Sequence, residues 1–265
     1  MKLLSVLPIA ALFASMATAA ELPNLIAHRG ASHAAPENTI AAFKRAWEEG
    51  ADGIEGDFHL SADGEVVCIH DADTKRVAGK KLVVANTPWA TLAALDVGSW
   101  KSPEFKGERI PRLADVLDVL PSGKRFFLEI KDGPEIVAPI RRILMEKKAD
   151  PARVVLISFN GEVVAACREA LPGFQAHLVS DLKGIEKEAK RSGYLAQLKQ
   201  CRAQGLQFKA ASAVEGDWLR ARKEEGVMLT SWTVDDVATA RKVIGFGVDN
   251  ITTNRPGPLR AELSE

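Results

Sequence analysis

The chain has 265 residues, 46% hydrophobic and 26% charged, and its 35 basic side chains balance 35 acidic ones. That size and mixture describe a globular chain with a sizeable core and exclude disorder. A formal net charge of +0 leaves no basic stripe for nucleic acid and no polybasic face for a membrane surface, so neither is expected as a partner.

The first 20 residues differ from the rest. Lys2 is their only charge, Leu3–Ala14 is apolar apart from Ser5, and Ala17-Thr18-Ala19 sets small residues at cleavage spacing. This is the layout of a secretory signal peptide over residues 1–20, with residues 21–265 as the mature domain. The alternative, a transmembrane anchor, needs about 20 apolar residues. Cleavage near Ala19 or Ala20 leaves a net charge of −1, and no cysteine follows to carry a lipid. The expectation is export without a stable membrane anchor, to the periplasm of a Gram-negative source and otherwise to the medium. Three cysteines, Cys68, Cys167 and Cys201, leave at least one thiol unpaired. Cys68 lies in an apolar run and reads as a small buried group, while a Cys167–Cys201 disulfide stays open.

After the leader, Leu25–Ala27 predicts a strand that ends at His28-Arg29-Gly30. Pro36-Glu37-Asn38-Thr39 opens a helix, with Asn38 or Glu37 near its cap and Ile40, Phe43, Ala46 and Trp47 on one face. Gly50 stops it, and Ala51–Leu60 is a second strand. Asp63-Gly64 signals a hairpin into Glu65–His70. So short a link forces antiparallel pairing and sets His70 roughly opposite Glu55. Residues 72–110 read as an irregular insertion over the strand ends, with one short helical run around Trp89–Leu95.

From Leu113 the pattern alternates regularly. Helices at 113–120, 135–148, 161–171, 185–202, 217–225 and 235–244 precede strands at 125–131, 153–159, 174–179, 206–211, 227–234 and 248–252. Alternation of this kind argues for one α/β domain with a parallel sheet. Eight parallel candidates plus one hairpin partner suit an irregular (β/α)8 TIM barrel, with the place of one strand left open. An open doubly wound sheet is the alternative, but no G-x-G-x-x-G follows the first strand.

Ionisable groups cluster at the predicted strand ends: His28 and Arg29, Glu55 and Asp57, His70, Glu129 and Lys131. Buried charges are costly unless paired or bound to a metal, and barrel enzymes place their working groups at strand C-termini. Glu55 and Asp57 are two apart on a strand, as are Glu129 and Lys131, so each pair faces one way. Three converging carboxylates favour one hard divalent cation, Mg²⁺ or Ca²⁺; ion pairing with Arg29 and Lys131 is the other reading. Arg29 and Lys131 would suit a phosphoryl group, with Gly30 letting the backbone approach the anion. His28 and His70 suit proton transfer, whereas His33, His59 and His177 read as structural.

The order H-R-G, P-E-N-T, E-G-D, D-G, H-D, then L-E-I-K, S-F, S-W-T-V and T-N-R-P, closely resembles the glycerophosphodiester phosphodiesterases, from Ile26 to Pro256. The resemblance implies an irregular TIM barrel that hydrolyses deacylated phospholipids to glycerol 3-phosphate and an alcohol. It implies Glu55, Asp57 and Glu129 as metal ligands, His28 and His70 as the acid–base pair, and Arg29 and Lys131 on the phosphate. Trp232 would line the substrate pocket, with core packing as the alternative. Two other functions stay in view: a phospholipase D-like phosphodiesterase acting on lysophospholipids or sphingolipids, and a non-catalytic exported phosphodiester-binding protein.

Overall fold

The computed structural model describes residues 22–211 and 216–265. The predicted signal peptide therefore lies outside the described residues. Nine strands form one sheet: β1 (Asn24–Ala27), β2 (Gly53–Leu60), β3 (Val66–Cys68), β4 (Arg125–Ile130), β5 (Val154–Ser158), β6 (Gln175–Ser180), β7 (Gly205–Lys209), β8 (Met228–Trp232) and β9 (Asn250–Thr253). The parallel pairings β1–β2 and β1–β9 close eight of them into a barrel. The strand without a place is β3, which hangs antiparallel on the outside of β2 through Phe58 and Cys68, His59 and Val67, and Leu60 and Val66. That register is one residue off the sequence estimate, and β3 stops at Cys68, so His70 sits in the loop beyond it.

Helices α1 (Ile40–Glu48), α5 (Val137–Glu146), α6 (Gly161–Ala170), α7 (Glu188–Gln200), α8 (Gly216–Glu224) and α9 (Val237–Ile244) are the crossover connections of the barrel. A short α4 (Leu113–Asp118) precedes β4, and α10 (Pro256–Leu263), absent from the sequence reading, follows β9. Alternate strand residues feed two cores. Leu206 and Phe208 join the large cluster between sheet and helices, whereas Ile26, Phe127, Val155, Ile157 and Val179 fill the barrel interior with Trp232 against them. Helix α1 starts at Thr39, whose hydroxyl accepts the Ala42 N–H (3.2 Å), so Glu37 and Asn38 are not the cap.

The insertion is more ordered than its sequence suggests. It carries α2 (Lys75–Ala78), α3 (Trp89–Leu92) and two 3₁₀ turns around a core of Val67, Ile69, Val77, Val84, Leu92, Val97 and Ile110. Lys101 Nζ reaches the Ser32 carbonyl (2.8 Å), fixing the insertion against the loop after β1. All three cysteines are buried free thiols, so the Cys167–Cys201 pairing is not formed.

His177 is structural, as expected. Its ring packs over Gly205, where an added Cβ would lie 2.6 Å from it, and meets the Phe127 ring edge-on. Burial, then the Arg125 charge, pushes its pKa down to about 3. The folded chain thus holds a neutral imidazole where the unfolded chain binds a proton near pH 6.5. Stability owed to this group is present above pH 6.5 and is lost as pH falls toward 3. Denaturant unfolding of wild type and His177→Phe should show the variant losing less stability between pH 7 and pH 4, by roughly 3 kcal/mol for one proton. The same pH slope in both chains would contradict a buried neutral ring.

Candidate active site

The turn after β1 starts the site. Arg29 and Gly30 both take left-handed backbone, with φ of 57° and 78°. The conformation aims the Arg29 N–H at Glu55 Oε2 (2.9 Å). Gly30 is required by packing: an added Cβ would lie 2.6 Å from the Ala42 backbone on α1. From the next strand, Glu55 and Asp57 project together, joined by Glu129 of β4, which is paired in register with Asp57. One oxygen from each of Glu55, Asp57 and Glu129 lies within 4.8 Å of the others, and all three residues are buried.

The two cations are spent on these carboxylates. Lys131 Nζ contacts Asp57 Oδ1 (2.8 Å) and Glu129 Oε1. Arg29 Nη1 donates to Glu37 Oε1 (2.9 Å), and its Nε lies 3.2 Å from Asp57 Oδ2 without hydrogen-bond alignment. The ion-pair arrangement that the sequence left open is therefore formed. It does not satisfy all three carboxylates. Against the cost of burial, Lys131 and Arg29 hold Asp57 well below the usual carboxylate range. Burial, then the Asp57 charge, raises Glu129. Burial, then Asp57 and Glu129, pushes Glu55 well above its ordinary value, and its Oε1 is buried without a partner. An orphaned carboxylate oxygen beside two others fits a hard divalent cation.

His28 closes the β1 side. Its Nδ1 is 2.7 Å from Asn254 Oδ1, which also accepts from Ser32 Oγ (2.8 Å). The Asn254 amide donates to Asp235 Oδ2 (2.6 Å), fixing which end of the amide faces the imidazole. His28 therefore carries its proton on Nδ1 and leaves Nε2 unprotonated. Burial, then the Arg29 charge, lowers its pKa to about 4. His70 is half-exposed. Its Nδ1 donates to Asp71 Oδ1 (2.7 Å), and burial, the largest cause, lowers its pKa. His59 is structural: it bonds Asp132 Oδ1 (2.6 Å) and the His70 carbonyl (3.2 Å), bracing the His70 loop. His33 lines a cavity of about 550 Å³ that also takes in His28, Arg29, Trp100, Asn254 and Arg255.

Trp232 packs in the barrel interior, the alternative that the sequence left open. Its ring packs on the interior cluster and meets Phe159 edge-on at 5.6 Å, while its Nε1 is buried without a partner. Phe159 is exposed, and Lys131 Nζ lies 5.9 Å from its centroid, so an aromatic wall faces the charged half of the mouth.

Residues 28–258 match the model of the glycerophosphoryl diester phosphodiesterase family. The chain belongs to this family. A glycerophosphodiester phosphodiesterase of Caldanaerobacter subterraneus is 34% identical over 89% of this chain and 95% of its own. Another, from Bacillus subtilis, is 27% identical over 87% of this chain and 83% of its own. Among solved structures, an Oleispira antarctica phosphodiesterase in complex with the product sn-glycerol-3-phosphate superposes with a TM-score of 0.83, at 26% identity over 92% of this chain and 98% of that one. The glycerophosphodiester phosphodiesterase of Agrobacterium tumefaciens gives a TM-score of 0.76, at 26% identity over 91% and 100%. The chain is an enzyme of this phosphodiesterase class on an irregular TIM barrel.

Sequence reasoning missed Asn254 and Asp235, which fix His28, and the hold of Asn38, next to the helix cap, on Asp57. Asn38 has φ of 58°; its amide donates to Asp57 Oδ2 (2.8 Å), and its Oδ1 accepts the Asp57 N–H (3.2 Å) and the Cys68 thiol (3.3 Å). Asn38→Ala would strand a buried N–H and a carboxylate oxygen, so a loss of about 1–3 kcal/mol is expected in chemical denaturation. Unchanged stability would show that this amide does not hold Asp57.

Proposed function

We propose that the chain hydrolyses glycerophosphodiesters, the deacylated phospholipids, to glycerol 3-phosphate and an alcohol. The observation that carries this is the meeting of Glu55, Asp57 and Glu129 with Arg29, Lys131 and two histidines at one end of the barrel. The glycerol-3-phosphate in the Oleispira relative supports the same substrate class.

A divalent cation held by Glu55, Asp57 and Glu129, Mg²⁺ or Ca²⁺, would polarise the phosphoryl oxygens and lower the pKa of the attacking hydroxyl. The remaining steps fall to the chain. His28 Nε2 takes the proton from the glycerol 2-hydroxyl as its oxygen bonds phosphorus. Protonated His70, its Nδ1–H kept on Asp71, gives its Nε2 proton to the alcohol oxygen as that bond to phosphorus breaks. Water then opens the resulting cyclic phosphate, with the two histidines exchanging roles. Arg29 and Lys131 stabilise charge on the phosphoryl oxygens. Trp232 and Phe159 line the substrate side of the mouth.

Glycerophosphocholine turnover should stop after exhaustive chelation and return with Mg²⁺ or Ca²⁺. Full activity with no metal found by elemental analysis would sink the metal role. His28→Ala and His70→Ala should each lose about 10²–10⁴-fold, chiefly in kcat. A p-nitrophenolate leaving group needs no proton, so it should rescue His70→Ala and not His28→Ala. The opposite rescue would reverse the roles, and rescue of neither, with raised KM in both, would make them binding groups.

Export fits the layout of residues 1–20, and among the described residues no helix is long and apolar enough to cross a membrane. The purified native protein should begin near Ala20 or Glu21 by N-terminal sequencing. A retained Met1 would refute export by cleavage.

A further inference from the structure

The two histidines are not held equally. His28 is held by an asparagine, itself fixed by Asp235, whereas the His70 and Asp71 side chains are each 34% exposed. A half-exposed ion pair in water is worth little by itself and does not fix a ring. What restrains this one comes from the insertion. Arg76 on α2 grips two carboxylates along two edges of its guanidinium. Its Nε and Nη2 donate to Asp71 Oδ2 (2.7 Å) and Oδ1 (3.1 Å). Its Nη1 and Nη2 donate to Glu37 Oε2 (2.8 Å) and Oε1 (2.9 Å). Glu37 is only 13% exposed and accepts from Arg29 Nη1, which ties it to the buried charges at Asp57. An unbroken polar chain thus runs from buried Asp57 through Arg29, Glu37, Arg76 and Asp71 to His70.

We propose that Arg76 is a positioning residue for His70, holding Asp71 so that the His70 proton on Nδ1 has one fixed acceptor and the protonated ring presents its Nε2–H to the leaving alcohol. The inference rests on the acid role proposed above for His70. The chemistry requires a guanidinium. Two bidentate forks need four directed N–H bonds in one plane, which a single ammonium cannot supply. Without Arg76, Asp71 and Glu37 are two anions with nothing between them, and Asp71 is free to turn to water. The His70 ring then loses its fixed tautomer and orientation, the usual consequence of removing the carboxylate behind a working imidazole.

Arg76 is 41% exposed on a surface helix, so its replacement is compatible with folding, and thermal melts of Arg76→Ala and Arg76→Lys will verify that. Two readouts are needed. In ¹⁵N NMR of the full chain without substrate, the neutral His70 ring of the wild type should show the Nδ1–H form alone, the form that carries its further proton on Nε2 when the ring is charged, and both variants should show a tautomer mixture while His28 is unchanged. In turnover, kcat for glycerophosphocholine should fall about tenfold to a hundredfold in both variants, the scale typical of removing an outer-shell partner. With a p-nitrophenolate leaving group the fall should be under about threefold. Equal losses on the two leaving groups, or wild-type His70 ring shifts in either variant, would overturn the proposal. If the wild-type chain turns over neither substrate, the reaction proposed above fails, and the NMR comparison still decides the role of Arg76.

Discussion

Concentrated negative charge in a place that excludes water is the constraint on which the mouth of this barrel depends. Glu55, Asp57 and Glu129 come within 4.8 Å of one another while buried, and Lys131 and Arg29 supply two positive charges against three. The imbalance falls unevenly. Asp57 touches both cations and stays ionised, while Glu55 receives one backbone N–H and keeps an oxygen with no partner. Charge in a low dielectric is tolerated only when it is matched, so Glu55 is the group whose protonation answers to whatever else enters the site.

The barrel is what allows this. Parallel strands paired in register bring Asp57 and Glu129 side by side without loop flexibility, and the tight left-handed turn at Arg29 and Gly30 adds a backbone donor from β1. Around this rigid centre the polar supports differ by depth. Asn38 and Asn254 are amides that hold Asp57 and His28 from within, and Arg76 is a cation that holds the exposed His70 side from the insertion. Opposite them, Trp232 and Phe159 meet edge-on, with Lys131 Nζ 5.9 Å from the Phe159 centroid.

Much of this was legible in the sequence because it rests on short-range periodicity. Alternation along β2 and β4 announces that Glu55 and Asp57, and Glu129 and Lys131, share a face, and regular strand–helix spacing announces the barrel. The supports were not legible. Glu37 and Asn38 look like a helix start and are followed by Thr39, the true cap, so their turn toward Asp57 and Arg76 is invisible until backbone angles are known. Asn254 meets His28 across 226 residues, a contact that only barrel closure creates. Arg76 lies in a segment without periodicity, and its partners are set by how the insertion folds on its own small core. Gly30 was recognised as special, but its close approach to the backbone of α1 was not legible.

The central claim is that Glu55, Asp57 and Glu129 crowd together more negative charge than Lys131 and Arg29 match, so that a divalent cation relieves Glu55, whose carboxyl its burial and its neighbours push upward. Proton release on adding Mg²⁺ or Ca²⁺ to the metal-free chain, followed near pH 7 in weak buffer alongside calorimetric binding, tests it most directly. The account predicts binding coupled to release of up to about one proton per site, and binding that is weakened and releases none in Glu55→Gln. Metal binding without proton release in the wild type, or equal release in the variant, would contradict it.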